Sequence, residues 1–286
     1  MLLAIAALLA LVLPATASSH VGVYVALGDS YTAGPLIPNP KGNPIDCGRS
    51  DHNYPTLVAN QIHPGVFRDV SCGSAQTKDM TAPQTGLPLG GTNPPQFNAL
   101  DRNVGLVTLG IGGNDMGFGD IVTTCAELGI QSLGQGHPCT DHYNAGGVDT
   151  IAQRLGEQVA PAIAQVIAGI HERSPNARLV VVGYPDPVPQ QPGCYPVVPI
   201  ASGDLPYLHT VARNLSATVR EQALADGAEF VDLGPGSIGH DICQLPLTKW
   251  YEGIIPTSPA YPAHPNALGM KFAARQVLAT LAAGGS

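Results

Sequence analysis

Five short apolar runs recur along this chain, with helix-length or loop stretches between them. They cover residues 21–27, 66–71, 104–110, 178–184 and 228–233. Most are Val-rich and apolar at consecutive positions, the pattern of strands buried on both faces. The second run is the weakest. Helical spacing fills several of the gaps, at 54–62, 148–174, 207–226 and 267–281. In the longest, Ile151, Leu155, Val159, Ile163, Val166, Ile167 and Ile170 share a broad face. Pro161 should kink or break that helix. Strand–helix alternation of this kind specifies a parallel sheet covered by helices on both faces. No repeat or shift in composition divides the 286 residues, so one domain is expected.

The first seventeen residues do not belong to that pattern. Leu2 to Leu13 is an almost unbroken apolar run, and Pro14-Ala15-Thr16-Ala17 follows with small residues at a cleavage-like spacing. This reads as a secretory signal over 1–17, removed near 17–20, with 18–286 as the mature domain. The run is shorter than the roughly 20 residues a bilayer span needs, so no membrane span is expected in the mature chain. Six cysteines without a C-x-x-C pair suit an exported, disulfide-bonded protein better than a zinc site. Among the connectivities they allow, pairing in chain order is favoured: Cys47–Cys72, Cys125–Cys139 and Cys194–Cys243. Each would close loops at one end of the sheet. A net charge of −8 with 13 Lys+Arg argues against a nucleic-acid partner.

Residues that could carry chemistry sit where the strands end. Gly28-Asp29-Ser30 follows the first strand, which places a hydroxyl at the edge where open parallel sheets bind ligands. Ser71-Cys72-Gly73-Ser74 follows the second, and Gly73 can bring its backbone N–H close to a ligand. Gly110-Ile111-Gly112-Gly113-Asn114-Asp115 follows the third, and the Asn114 amide can donate to an oxyanion. A dinucleotide loop is disfavoured there, because position 115 is Asp where that fingerprint needs glycine. His264 lies in Tyr261-Pro262-Ala263-His264-Pro265-Asn266, just before the last helix, and is the best-placed base of nine histidines. His240, after the fifth strand, is second. Loops at 35–53, 80–98 and 185–202 are long enough to be functional.

Together these four segments resemble the SGNH hydrolases, also called the GDSL esterase/lipase family. Gly28-Asp29-Ser30-Tyr31 matches its first block, with Tyr where the namesake has Leu. Gly73, Gly112-Gly113-Asn114-Asp115 and His264-Pro265-Asn266 match the others. With six cysteines the chain is most similar to a secreted bacterial lipase/esterase branch with three disulfides. The resemblance implies a flavodoxin-like three-layer α/β/α sandwich with a five-stranded parallel sheet. It implies Ser30 as nucleophile, His264 as base, and an oxyanion hole from the Ser30 and Gly73 N–H groups and the Asn114 amide.

One position departs from the pattern. Many members carry Asp three residues before the histidine, and here that residue is Tyr261. The expectation is therefore a Ser–His dyad whose histidine is oriented by the Tyr261 backbone carbonyl. Asp241 or Asp232 is the alternative partner. An ordinary imidazole would set the rate rising through about pH 6–7. The expected substrates are acyl esters, small-molecule or lipid, cleaved by a monomer without metal or organic cofactor. A phospholipase, a carbohydrate O-deacetylase and a non-catalytic secreted binding protein are the competing readings.

Overall fold

A computed structural model describes residues 21–190 and 193–284. The apolar leader lies outside them. Among the described residues the sheet has five strands: β1 Val23–Gly28, β2 Val66–Asp69, β3 Leu106–Gly110, β4 Arg178–Val182 and β5 Glu229–Val231. All pairings are parallel, in the order β2-β1-β3-β4-β5. The helices are α1 Ser30–Ala33, α2 Tyr54–Ile62, α3 Gly113–Met116, α4 Phe118–Gln131, α5 Pro138–Tyr143, α6 Thr150–Arg154, α7 Ala160–Arg173, α8 Leu205–Ala225, α9 Gly234–Ser237 and α10 Ala267–Ala283.

Alternation along the strands divides the core between the two faces of the sheet. Val25, Leu27, Val107, Leu109, Leu179 and Val181 pack with α4, α7 and α8. Tyr24, Ala26, Leu106, Val180 and Val182 pack with α2 and α10. The result is the expected three-layer sandwich. The strand order reverses direction between β1 and β3, and such a switch point opens a crevice at the carboxyl ends of the strands. The segments carrying Ser30 and Asn114 both leave the sheet there.

Two features differ from the sequence reading. Pro161 does not break its helix. A wider π turn at Leu155–Val159 joins α6 to α7, and the Ala160 N–H bonds the Leu155 carbonyl. That extra residue per turn places Pro161 in the first turn of α7, where its missing N–H is not needed. Helices α4 and α5 lie outside the stretches with helical spacing. α4 contains Gly119, Val122, Thr123 and Thr124, which are poor helix formers. It is fixed instead by burial of Ile121, Cys125 and Ala126 and by the Cys125–Cys139 disulfide to α5. Trp250 stacks between His240 and Phe272, and Tyr251 is buried in the core.

The three disulfides are Cys47–Cys72, Cys125–Cys139 and Cys194–Cys243. The first ties the loop after α1 to the segment after β2. The third ties the Pro-rich loop after β4 to the loop after α9.

Candidate active site

The Gly28 backbone makes the first turn of the site. Its φ is +150°, and a Cβ there would lie 2.5 Å from the Gly110 carbonyl oxygen, so only glycine fits. Gln96, fully buried, accepts from the Gly28 N–H and donates to its carbonyl at 2.8 and 2.9 Å. Asp29 then caps α1, accepting from the Tyr31 N–H at 2.8 Å. Ser30 is the first residue of α1, and no acceptor among the described residues takes its N–H.

Loop and sheet edge bring His264 to this turn. His264 Nε2 lies 2.7 Å from Ser30 Oγ, although 234 residues separate them. Its Nδ1 lies 2.7 Å from the Pro262 carbonyl oxygen. With Nδ1 protonated and donating to that carbonyl, Nε2 is left as acceptor for the serine hydroxyl. The Tyr261 carbonyl does not orient the imidazole. It accepts the backbone N–H of His264 instead, at 3.2 Å. The tight turn uses the carbonyl three residues back to close the backbone, leaving the one two residues back to face the ring. Asp241 and Asp232 are not partners: their carboxylates accept from Cys243 and Gln244, and from Gly234. His240 bonds the Thr248 carbonyl and takes no part.

Burial pushes the His264 imidazole from its ordinary 6.5 down to about 4, and the Pro262 carbonyl offsets only part of this. At neutral pH the ring is therefore an uncharged base. Burial also pushes Asp29 up to about 7, against the hydrogen bonds it accepts from Tyr184 and Tyr31. Tyr184 donates to Asp29 and accepts the Gly113 N–H at 2.8 Å. One phenol thereby joins the serine turn to the loop that carries Asn114. Neither Tyr184 nor Gln96 carries a sequence signal beyond its type, because each contacts the site through tertiary folding alone.

The third and second segments are laced together. Asn114 Nδ2 donates to the Ala75 carbonyl at 2.9 Å, which leaves its second N–H for a ligand. The Gln76 amide donates to the Asn114 carbonyl, and Asp115 accepts the Thr77 N–H at 3.0 Å. The Gly73 N–H is not available to an oxyanion. It donates to the Cys47 carbonyl at 2.8 Å, next to the disulfide. The turn that follows closes from the Ala75 N–H to the Cys72 carbonyl, with Ser74 at φ +61°. That is the position where such a turn favours glycine. Ser74 is exposed, lines the groove beside Ser30, and its N–H has no acceptor among the described residues.

Two spaces meet at Ser30. An apolar cavity of about 90 Å³ runs under Asn114 between α4, α8 and the Pro-rich loop. Met116, Ile121, Val198, Ile200, Leu208 and Leu215 are among its walls. A larger groove of about 910 Å³ lies on the other side, and no Lys or Arg among the described residues lines it.

Residues 26–272 match the GDSL-like Lipase/Acylhydrolase family. The chain belongs to that family. It is 38% identical to Lipase 2 of Streptomyces coelicolor over 90% of this chain and 85% of that one. It is 30% identical to an esterase of Streptomyces scabiei, over 88% and 84% respectively. Among solved structures, a phospholipase A1 from Streptomyces albidoflavus NA297 superimposes with a TM-score of 0.74 at 27% identity. That likeness covers 91% of this chain and 99% of the other. As a member of the GDSL family the protein is a carboxylic ester hydrolase.

Proposed function

We propose that this hydrolase cleaves neutral acyl esters through a Ser30–His264 dyad. The observation that carries the reading is the 2.7 Å contact between His264 Nε2 and Ser30 Oγ, with Nδ1 of the same ring on a main-chain carbonyl. His264 takes the serine proton as Ser30 Oγ attacks the ester carbonyl. The oxyanion is held by the N–H groups of Ser30 and Ser74 and by the free N–H of the Asn114 amide. His264 then protonates the leaving alcohol, and water releases the acid by the same path. A carbonyl fixes the tautomer but stabilises the imidazolium less than a carboxylate does, so the dyad relies more on its oxyanion donors.

The apolar cavity takes the acyl chain, and the larger groove takes the alcohol. A groove without Lys or Arg suits an uncharged alcohol better than a phosphate headgroup. The single Trp lies away from both spaces, which disfavours a sugar-stacking cleft. Three disulfides support export, with the leader over 1–17 removed near 17–20. Among the described residues no helix is long and apolar enough to cross a membrane. We take the mature domain, 18–286, to act as a monomer.

Two measurements test the reading. A fluorophosphonate probe should modify one residue, Ser30, and peptide mass spectrometry locates it. With p-nitrophenyl esters of graded length, kcat/KM should rise until the cavity is filled and then fall. Labelling elsewhere, or indifference to chain length, contradicts it.

A further inference from the structure

We propose that Tyr31 is the positioning residue for His264, holding the histidine loop through the Ala263 carbonyl in the absence of a side-chain carboxylate. The inference rests on the Ser30–His264 dyad proposed above and adds what keeps that dyad aligned.

Three observations converge on this phenol. First, no carboxylate among the described residues meets the imidazole: its Nδ1 lies against the Pro262 carbonyl. Second, the residue between that carbonyl and the histidine is Ala263, with φ at +59°. A non-glycine residue stays in this region only where its surroundings hold it. The Ala263 N–H donates to the Gly253 carbonyl at 3.1 Å. The Tyr31 hydroxyl donates to the Ala263 carbonyl at 2.8 Å. That second bond starts on the residue next to the nucleophile and ends on the residue next to the base. It therefore sets the distance between the two reacting groups in one link. Third, the Tyr31 ring lies against the imidazole, with centroids 5.0 Å apart. Phe118 and Tyr261 present their rings to other sides at 6.2 and 5.2 Å, both near perpendicular. The imidazole is thus hemmed in against rotation.

A carboxylate would hold the ring directly by its Nδ1–H. Here the work is divided: Pro262 fixes the tautomer, and Tyr31 fixes the loop. A leucine at position 31, as in the namesake motif, could pack on the ring but could not donate to Ala263. The tyrosine and the missing acid are then two parts of one arrangement.

Tyr31→Phe keeps the ring and removes only the donor. The experiment measures kcat and KM on a short p-nitrophenyl ester, with active sites counted by fluorophosphonate titration. Per titrated site, kcat should fall about 10-fold, one hydrogen bond's worth of alignment, with KM within about twofold. Tyr31→Leu, which also loses ring contact, should fall at least as far. Tyr207→Phe removes another phenol, one that donates to Asp149 at 3.0 Å away from the dyad, and should keep kcat per site. Wild-type-like kcat per titrated site in Tyr31→Phe overturns the proposal, and so does a loss accounted for entirely by fewer titratable sites. If the probe labels the wild type somewhere other than Ser30, the dyad itself is wrong, a result distinct from failure of the Tyr31 role.

Discussion

At the scale of single residues, environment decides more than residue type. That Ser30, Asn114 and His264 come together was legible, because strand-end positions, glycine neighbours and a loop histidine follow in chain order. The carbonyl that faces the imidazole, and the Gly73 N–H being already bonded to the Cys47 carbonyl, were not legible. Both depend on where a tight turn spends its hydrogen bonds, which residue order does not reveal. Gly73 attracts notice as a glycine, yet a Cβ there would meet the Cys47 carbonyl oxygen only at an ordinary 3.4 Å. Gly73→Ala should therefore keep activity within a few-fold. Asn114→Ala should lower kcat by about 10²–10³, as loss of an oxyanion donor does elsewhere. Steady-state kinetics on one ester checks both. The titration of His264 gives a third expectation. A base whose pKa is lowered to about 4 is already neutral above that pH. The acid limb of kcat/KM should then lie near pH 4, and a limb at 6.5 would mean an ordinary, solvated imidazole. Folding stability follows the same groups with opposite signs. Burying neutral His264 favours folding above its unfolded value of 6.5, and this advantage is lost as pH falls toward about 4. Burying Asp29, raised from 3.8 to about 7, costs stability as pH rises through that interval. The two slopes oppose one another in the wild type. In Asp29→Asn the melting temperature should rise with pH between about 4 and 6.5.

At the scale of elements, the strands were the most legible because consecutive apolar residues have few other uses. β2, β3, β4 and β5 fall inside the expected runs, and β1 extends one residue past its run, to Gly28. The helices at the periphery were less so. α4 forms where propensity is weak, because a disulfide and three buried side chains hold it. The π turn before α7 is likewise a local solution to a proline that sequence alone marks as a break. The Pro-rich loop supplies Val198 and Ile200 to the apolar cavity and is anchored by Cys194–Cys243. Replacing both cysteines with Ser should lower stability by about 4 kcal/mol on the chain-entropy account. Discrimination between short and long acyl chains should weaken at the same time, since a cavity wall loses its tether. Chemical denaturation and the ester-length series together check this. A stability loss with unchanged chain-length preference would show that the wall holds without its bridge.

At the scale of the whole molecule, the topology explains why four segments far apart in the chain meet. The reversal of strand order between β1 and β3 opens a crevice at the carboxyl ends. The serine turn, the Ser74 turn, the Asn114 loop and the histidine loop all reach it. Tyr184 and the Asn114–Ala75 bond then hold these loops to one another. The central claim is that Ser30, activated by His264, is the nucleophile. Its most direct test is the hydrolysis of a p-nitrophenyl ester by purified Ser30→Ala, compared with wild type at neutral pH. The expected result is a loss of about 10⁴-fold or more in kcat in a folded protein. Full activity in Ser30→Ala would contradict the account.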